Sequence, residues 1–423
     1  MPVRSPEPPP SAARNIYAFG ITSFLNDTAT EMAYWVLPAF LVSLGAGPAQ
    51  LGLIEGIAES VASLAKLFSG YLTDRLDRRK PLVVAGYFVA NAVKPVLAVV
   101  TAWWQILLIR FIDRSAKGAR GAPRDVMVAE SVGKDRLGAA YGLIQSLDSA
   151  GAIAGPLAAL VLLSRYGIRS VFWAAAAPGA LCVLVALFGI RETRRSAGRK
   201  FQPARAGGSG LSSCGDSRPR LSGGAELRGG LPAQFYFVLF SVTLFSLGNS
   251  SDMFLVMRAQ NVGIPVALAP LLGLVFNLTY TLGSWPAGWF SDHFSRRGFS
   301  RRWIAAAGYL IFAAVYFVFG RAPSTLAIWL SMAVYGLYYA LTQPVLKALV
   351  VETVAQEIRG RALGIYFSVT SGATLAASLI TGELWKHYGA GTAFYVSAGL
   401  AAVSAALLIL PGSRLTGKSR LAG

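Results

Sequence analysis

Residues 70–79 read GYLTDRLDRR, and residues 288–297 read GWFSDHFSRR. Each follows a long apolar run and ends in basic residues. Two further pairs recur in the same order. AESVGKDRLGAAYG (129–142) matches VETVAQEIRGRALG (351–364), keeping Glu130/Glu352, Gly138/Gly360, Ala140/Ala362 and Gly142/Gly364. FLNDTATEM (24–32) matches FSLGNSSDM (245–253) after a small shift, which sets Glu31 and Met32 over Asp252 and Met253. Three matches in one order argue for an internal duplication.

The surrounding sequence says what is duplicated. Hydrophobic residues make up 54% of the chain and charged residues 14%, against about 25% charged in soluble domains. This is the composition of a polytopic membrane protein. Twelve apolar segments of spanning length lie near 16–44, 51–70, 81–100, 104–125, 138–163, 170–190, 232–258, 268–289, 303–320, 325–347, 362–385 and 391–411. They lack the alternation of barrel strands and read as helices. The expected organisation is an N-terminal tail (1–15), a six-helix bundle (16–190), a linker (191–231), a second six-helix bundle (232–411) and a tail (412–423).

The formal net charge of +19 would point to nucleic acid in a soluble protein. Here it follows the positive-inside rule. DRLDRRK (74–80), GKDR (133–136), RETRRSAGRK (191–200) and SRRGFSRR (295–302) fall in one set of loops, whereas SLGAGPAQ (43–50) in the other set is uncharged. Both termini and the Gly-, Ser- and Arg-rich linker are therefore expected in the cytoplasm. The first fifteen residues lack the apolar core of a cleavable signal peptide. Cys182 in an apolar run and Cys214 in the linker do not suggest a disulfide.

One segment breaks the apolar pattern. In RFIDRSAKGARGAPRDVMVAE (110–130), residues Arg110, Asp113, Arg114, Lys117, Arg120, Arg124 and Asp125 fall within an arc of about 140° on a helix. A charge at the bilayer centre costs roughly 2.5–3.5 kcal/mol on insertion scales. The stripe must face water, find partners or sit at the interface. Other intramembrane ionisable or polar groups are Asp27 and Glu31 on helix one, Lys94 on helix three, Gln145 and Asp148 on helix five, and Asn249 and Asp252 on helix seven. Such groups are functional by default. Asp27, Glu31 and Asp252 are assigned to substrate or protons, and Arg110 and Arg114 are expected to pair with Asp113 or Asp148. Glu31, Met32, Asp252 and Met253 together offer a carboxylate–thioether set for a divalent metal, although Met in a spanning helix usually serves packing.

These features carry a resemblance. Gly70-Tyr71-Leu72-Thr73-Asp74-Arg75-Leu76-Asp77-Arg78-Arg79, Arg114-Ser115-Ala116-Lys117-Gly118 and Gly151-Ala152-Ile153-Ala154-Gly155-Pro156 resemble three motifs of the major facilitator superfamily, a class of secondary transporters. Asp77 stands where the family has glycine, Lys117 where it has glutamine, and Leu157-Ala158-Ala159 where it often continues with glycines. The resemblance covers nearly the whole chain. It implies an all-α membrane fold of two pseudo-symmetric six-helix bundles, with helices one, four, seven and ten around a central cavity. It implies a cytoplasmic latch at Gly70, Asp74 and Arg78, with Gly288, Asp292 and Arg296 as its copy. It implies, through Gly151, Gly155 and Pro156, proton-coupled export. The strings D-x-x-x-E-M and D-R-x-x-K-G-x-R-x-A-P-R-D are also similar to a bacterial subgroup with magnetosome-associated members that function in iron supply.

The expected function is alternating-access transport of a small molecule or ion across a bacterial inner membrane or a magnetosome-type membrane. The proton is the expected coupling ion. No cofactor, no nucleic acid and a monomer embedded in the lipid bilayer are expected. Iron or another divalent metal is the alternative substrate. Nucleotide-binding loops and catalytic metal motifs are absent from the sequence, so an enzyme is not expected. A non-transporting sensor or scaffold using the basic linker is the alternative from another class.

Overall fold

The computed structural model describes residues 10–75, 78–131, 137–192, 231–296, 301–354 and 359–409. Twelve helical passes run through them. The first six are α1 (Pro10–Tyr34, resumed as Leu37–Ser43), α2 (Pro48–Arg75), α3 (Lys80–Ala92 and the turn Pro95–Val99), α4 (Trp103–Ser131), α5 (Leu137–Tyr166) and α6 (Ile168–Ala174 and Ala176–Gly189). The second six begin with α7 (Ala233–Gly248 and Met253–Asn261), α8 (the turn Val266–Leu268, then Ala269–Arg296), α9 (Arg302–Arg321) and α10 (Thr325–Glu352). The stretch Arg359–Ile409 leaves helical geometry at Gly389 and so provides α11 (359–388) and α12 (390–409).

Eight described stretches are long and apolar enough to cross a membrane, and one of them, Gly364–Ile409, holds both α11 and α12. The passes outside that set are α1, α2 and α4. They carry the charges and polar groups that face the interior instead of lipid. Lipid-facing positions of α4 are apolar, with Trp104, Leu108 and Phe111 exposed.

The duplication is written into the backbone. Among the described residues, every glycine with positive φ falls into a matched pair: Gly45 (76°) and Gly263 (104°) turn the chain after the first helix of each half, and Gly167 (80°) and Gly389 (86°) turn it before the last. A side chain would strain these left-handed turns. Tyr-Gly at 166–167 and 388–389, followed by Phe172 and Phe394, is a fourth sequence match, missed in the reading above.

The halves meet through α2 against α11 and α5 against α8. At the end of the bundle away from the charged loops, Gly52 and Gly56 of α2 lie against backbone and side chains of Leu375 and Ser378, and Gly382 of α11 lies against Pro48 and Ala49. Towards the charged loops the two helices part. There, Gly70 and Gly364 have nothing near them, and a cavity of 470 Å³ opens between Ser60–Gly70 and Gly364–Leu375. The molecule is therefore closed at one end and open at the charged-loop end.

Candidate functional site

Arg110 of α4 is 5% exposed and grips Glu55 of α2, itself 1% exposed. Its Nε donates to Oε1 at 2.9 Å, and its Nη2 donates to Oε1 at 2.6 Å and Oε2 at 2.9 Å. One turn along, Arg114 pairs with Glu59 at 3.2 Å. Asp113 is a distant second partner of Arg110, at 4.0 Å. Of the expected pairings, Arg110 with Asp113 is present at long range, whereas the close partners are Glu55 and Glu59 on α2 and not Asp148. Glu55 and Glu59 are four residues apart and share one helix face, so they meet two arginines with the same spacing. Both sit inside the apolar segment near 51–70.

Glu55 also accepts from the Ser251 hydroxyl of α7, at 3.2 Å. This crosses between the halves. Ser251 is available because α7 unwinds over Asn249–Asp252, between Gly248 and Met253. Asn249 Oδ1 is buried there without a donor. Asp252 next to it accepts from Tyr335 at 2.7 Å and Tyr339 at 3.2 and 3.3 Å, both on α10. Tyr34 of α1 stands between, with the Arg110 guanidinium 5.6 Å from its ring centre. Side chains of α1, α4, α7 and α10 converge here, together with α2.

Asp27 and Asp148 form a second centre. Their carboxyl groups approach each other between α1 and α5, on the wall of one cavity. Asn26 Nδ2 donates to Asp27 at 3.0 Å, Asn91 donates to Asn26 at 3.3 Å, and Lys94 Nζ donates to Asn91 at 2.8 Å. This polar chain joins α3, α1 and α5. Gly151 and Gly155 set its width. A methyl on Gly155 would lie 2.7 Å from Thr28 O and 2.8 Å from Glu31 Cβ, and one on Gly151 would lie 3.2 Å from Asp27 Cβ. The glycines bring α5 against the acid-bearing face of α1, and Pro156 follows inside the same helix. Asp27 and Asp148 line a cavity of 290 Å³ with residues of α2, α3 and α4.

Glu31 turns elsewhere. It accepts from Trp35 Nε1 at 2.7 Å, and Trp35 packs on Gly273 and Phe276 of α8. Met32 and Met253 are 3% and 0% exposed, within the apolar core. The speculative metal set of Glu31, Met32, Asp252 and Met253 does not assemble. Among the described residues no three His, Cys, Asp or Glu side chains gather in a metal-binding group.

At the charged-loop end, Arg78 is exposed, whereas buried Arg79 donates to both oxygens of Glu130 at 2.6 and 2.7 Å. Glu192 accepts the backbone N–H groups of Arg79 and Lys80. Arg79 therefore ties the loop after α2 to the ends of α4 and α6. The side chains of Asp74, Gly288, Asp292 and Arg296 lie outside those described. The repeat Glu130/Glu352 was the available signal for this pair.

Two helical bundles around a charged interior that opens at one end define a secondary transporter. The chain belongs to the major facilitator superfamily, whose sequence profile matches residues 19–257 and 235–421. An uncharacterised transporter of this superfamily from Methanocaldococcus jannaschii is 32% identical over 409 residues, 94% of each chain. A multidrug resistance protein of Escherichia coli is 29% identical over 202 residues, 47% of each chain. Among solved structures, a POT family transporter superposes with a TM-score of 0.75 at 12% identity, covering 96% of this chain and 97% of the other. The protein is thus an integral multi-pass membrane protein and not an enzyme.

Proposed function

We propose that the protein moves a small solute by alternating access coupled to protons, with Asp27 and Asp148 as the proton-carrying pair. The observation that carries this reading is their contact on the wall of a cavity on the charged-loop side. Positive-inside orientation makes that side cytoplasmic, so the described state faces inward. Arg110, Glu55 and Ser251 link the halves at the centre, with Asp252 held beside them by Tyr335 and Tyr339, so the cluster senses which way the halves are tilted. Glu31, held by Trp35 against α8, lies on the same route.

Export is supported by the half-length likeness to a multidrug resistance protein and by the glycines of α5. Iron supply is left with the sequence likeness alone, because Met32 and Met253 are core residues. The decisive experiment uses the full chain in proteoliposomes with an imposed pH gradient, offered anionic, cationic and neutral solutes beside an Asp148→Asn control. The expected result is solute movement that dissipates the gradient and falls at least about tenfold in the control, the equivalent of one lost interaction of about 1.4 kcal/mol. Flux indifferent to the gradient would remove the proton from the mechanism. No flux of any solute would favour a scaffold.

A further inference from the structure

The cavity beside Asp27 and Asp148 holds more positive charge than its own acids balance. Lys66, Arg114, Lys117, Arg120 and Arg124 face it, against Asp27, Glu59, Asp125 and Asp148. Glu59 is engaged by Arg114 and Asp125 by Arg124. Five cations against four ionised acids leave one positive charge in excess, and a proton held between Asp27 and Asp148 would raise the excess to two. Among the described residues no carboxylate forms an ion pair with Lys66, Lys117 or Arg120.

Two of the cations are built in place. Arg120 is 5% exposed. Among the described residues its one hydrogen bond is a long one to Gly86 O, 3.5 Å, and its guanidinium lies 4.4 Å from the Tyr87 ring centre. Arg114 is 7% exposed, and its Nε is buried without an acceptor. Buried donors, and buried charges above all, are ordinarily satisfied. Lys117 stands between them on the same face of α4, exposed into the opening. At 290 Å³ the space is at the small end of ligand pockets, roughly 300–1,000 Å³.

We propose that this cavity binds a small solute bearing an oxyanion, a carboxylate or a phosphate, through Lys117, Arg120 and Arg114, and that the anion binds together with the proton on Asp27 and Asp148. The second clause rests on the proton-coupled reading above. The groups facing the pair are Arg114, Lys117, Arg120, Arg124 and Asp125 from α4, Glu59 and Lys66 from α2, Tyr87 and Lys94 from α3, Cys182 from α6, and Glu31 from α1. Protonating the pair removes a negative charge from beside the anion, so the proton strengthens anion binding. By reciprocity the anion strengthens proton binding by the same factor. Joint binding favours movement of both in one direction, which opposes the antiport implied by the glycine motif of α5.

The test uses purified full-length protein in detergent. Thermal unfolding is followed with inorganic phosphate, benzoate or succinate, with tetraphenylphosphonium and glucose as cationic and neutral comparators. Ligands of the native state raise the midpoint. At least one anion is expected to do so, and Lys117→Gln is expected to weaken its binding at least about tenfold, the loss of one charged hydrogen bond. Because Lys117 is exposed, this variant keeps its fold; Lys386→Gln on α11, outside the cavity, should bind as the parent does. Stabilisation by phosphate alone, or by the carboxylates alone, tells the two oxyanions apart. In weakly buffered solution the same anion should draw protons from the medium, and Asp148→Asn should abolish that uptake. The inference is overturned if no anion stabilises, if Lys117→Gln changes nothing, or if anion binding takes up no protons. Proton-driven flux of a cationic solute alone would also overturn it while leaving proton coupling intact.

Discussion

In the N-terminal half, Arg79, Arg110 and Arg114 are held by Glu130, Glu55 and Glu59. In the C-terminal half the corresponding interior is filled by rings. Phe245 stacks on Tyr309 at 3.8 Å and Phe312 on Tyr316 at 3.9 Å, and Tyr335 and Tyr338 pack alongside. One backbone plan has been furnished in two ways. Dehydrated ion pairs add little net stability, because the desolvation penalty offsets the attraction. Their retention in one half points to a use that packing cannot serve. Stacked aromatics are directionally neutral filler worth about 0.5–1.5 kcal/mol per pair beyond their buried area. The C-terminal half offers a firm wall, and Asp252 and Ser251 are its polar contribution to the centre.

Breaking the charged half should have the largest effect. Glu55→Ala leaves buried Arg110 with only Asp113, 4.0 Å away, as counter-charge, with an expected loss of about 3 kcal/mol, the low end for a broken buried pair, read by thermal unfolding in detergent. Replacing both residues by leucine should recover most of that stability and none of the transport. Recovery of transport would mean the pair is structural only. Tyr335→Phe probes the other half. It removes one hydrogen bond to a carboxylate, about 1.5–3 kcal/mol, and should slow transport with little change in the ion-pair centre. Gly155→Ala overpacks α1 against α5, at about 1–3 kcal/mol, and should impair transport more than an alanine placed at open Gly142. Met253→Leu should be the smallest change, less than about 1.5 kcal/mol with transport retained. Loss of transport there would restore a role for the thioether.

The same contrast explains what the sequence discloses. The all-helical plan and the α4 stripe follow from local periodicity, and the described residues keep both. Partner choice does not. Whether Arg110 meets Asp148 or Glu55 depends on which helices cross α4 and at what height. The i, i+4 spacing of Glu55 and Glu59 was visible but lay in a run read for its apolar residues. The tyrosines of α10 were invisible for a related reason: a Tyr at helical spacing looks the same whether it fills a core or holds Asp252. Unwinding of α7 had a local cue in Asn249-Ser250-Ser251-Asp252, residues that compete with the helix backbone for hydrogen bonds.

The close contact of α2 with α11 at Gly52, Gly56 and Gly382 has a mechanical meaning. It is a fulcrum near one end of a long lever. From Gly56 to Arg75 the arm is roughly 29 Å at 1.5 Å per residue. A tilt of about 15°, the size of known subunit rotations, carries its tip through roughly 8 Å. Glycine at the pivot lets the two backbones roll over one another without a side chain between them. A modest change of angle there becomes, at the charged-loop end, a displacement as wide as the mouth of a small-solute cavity.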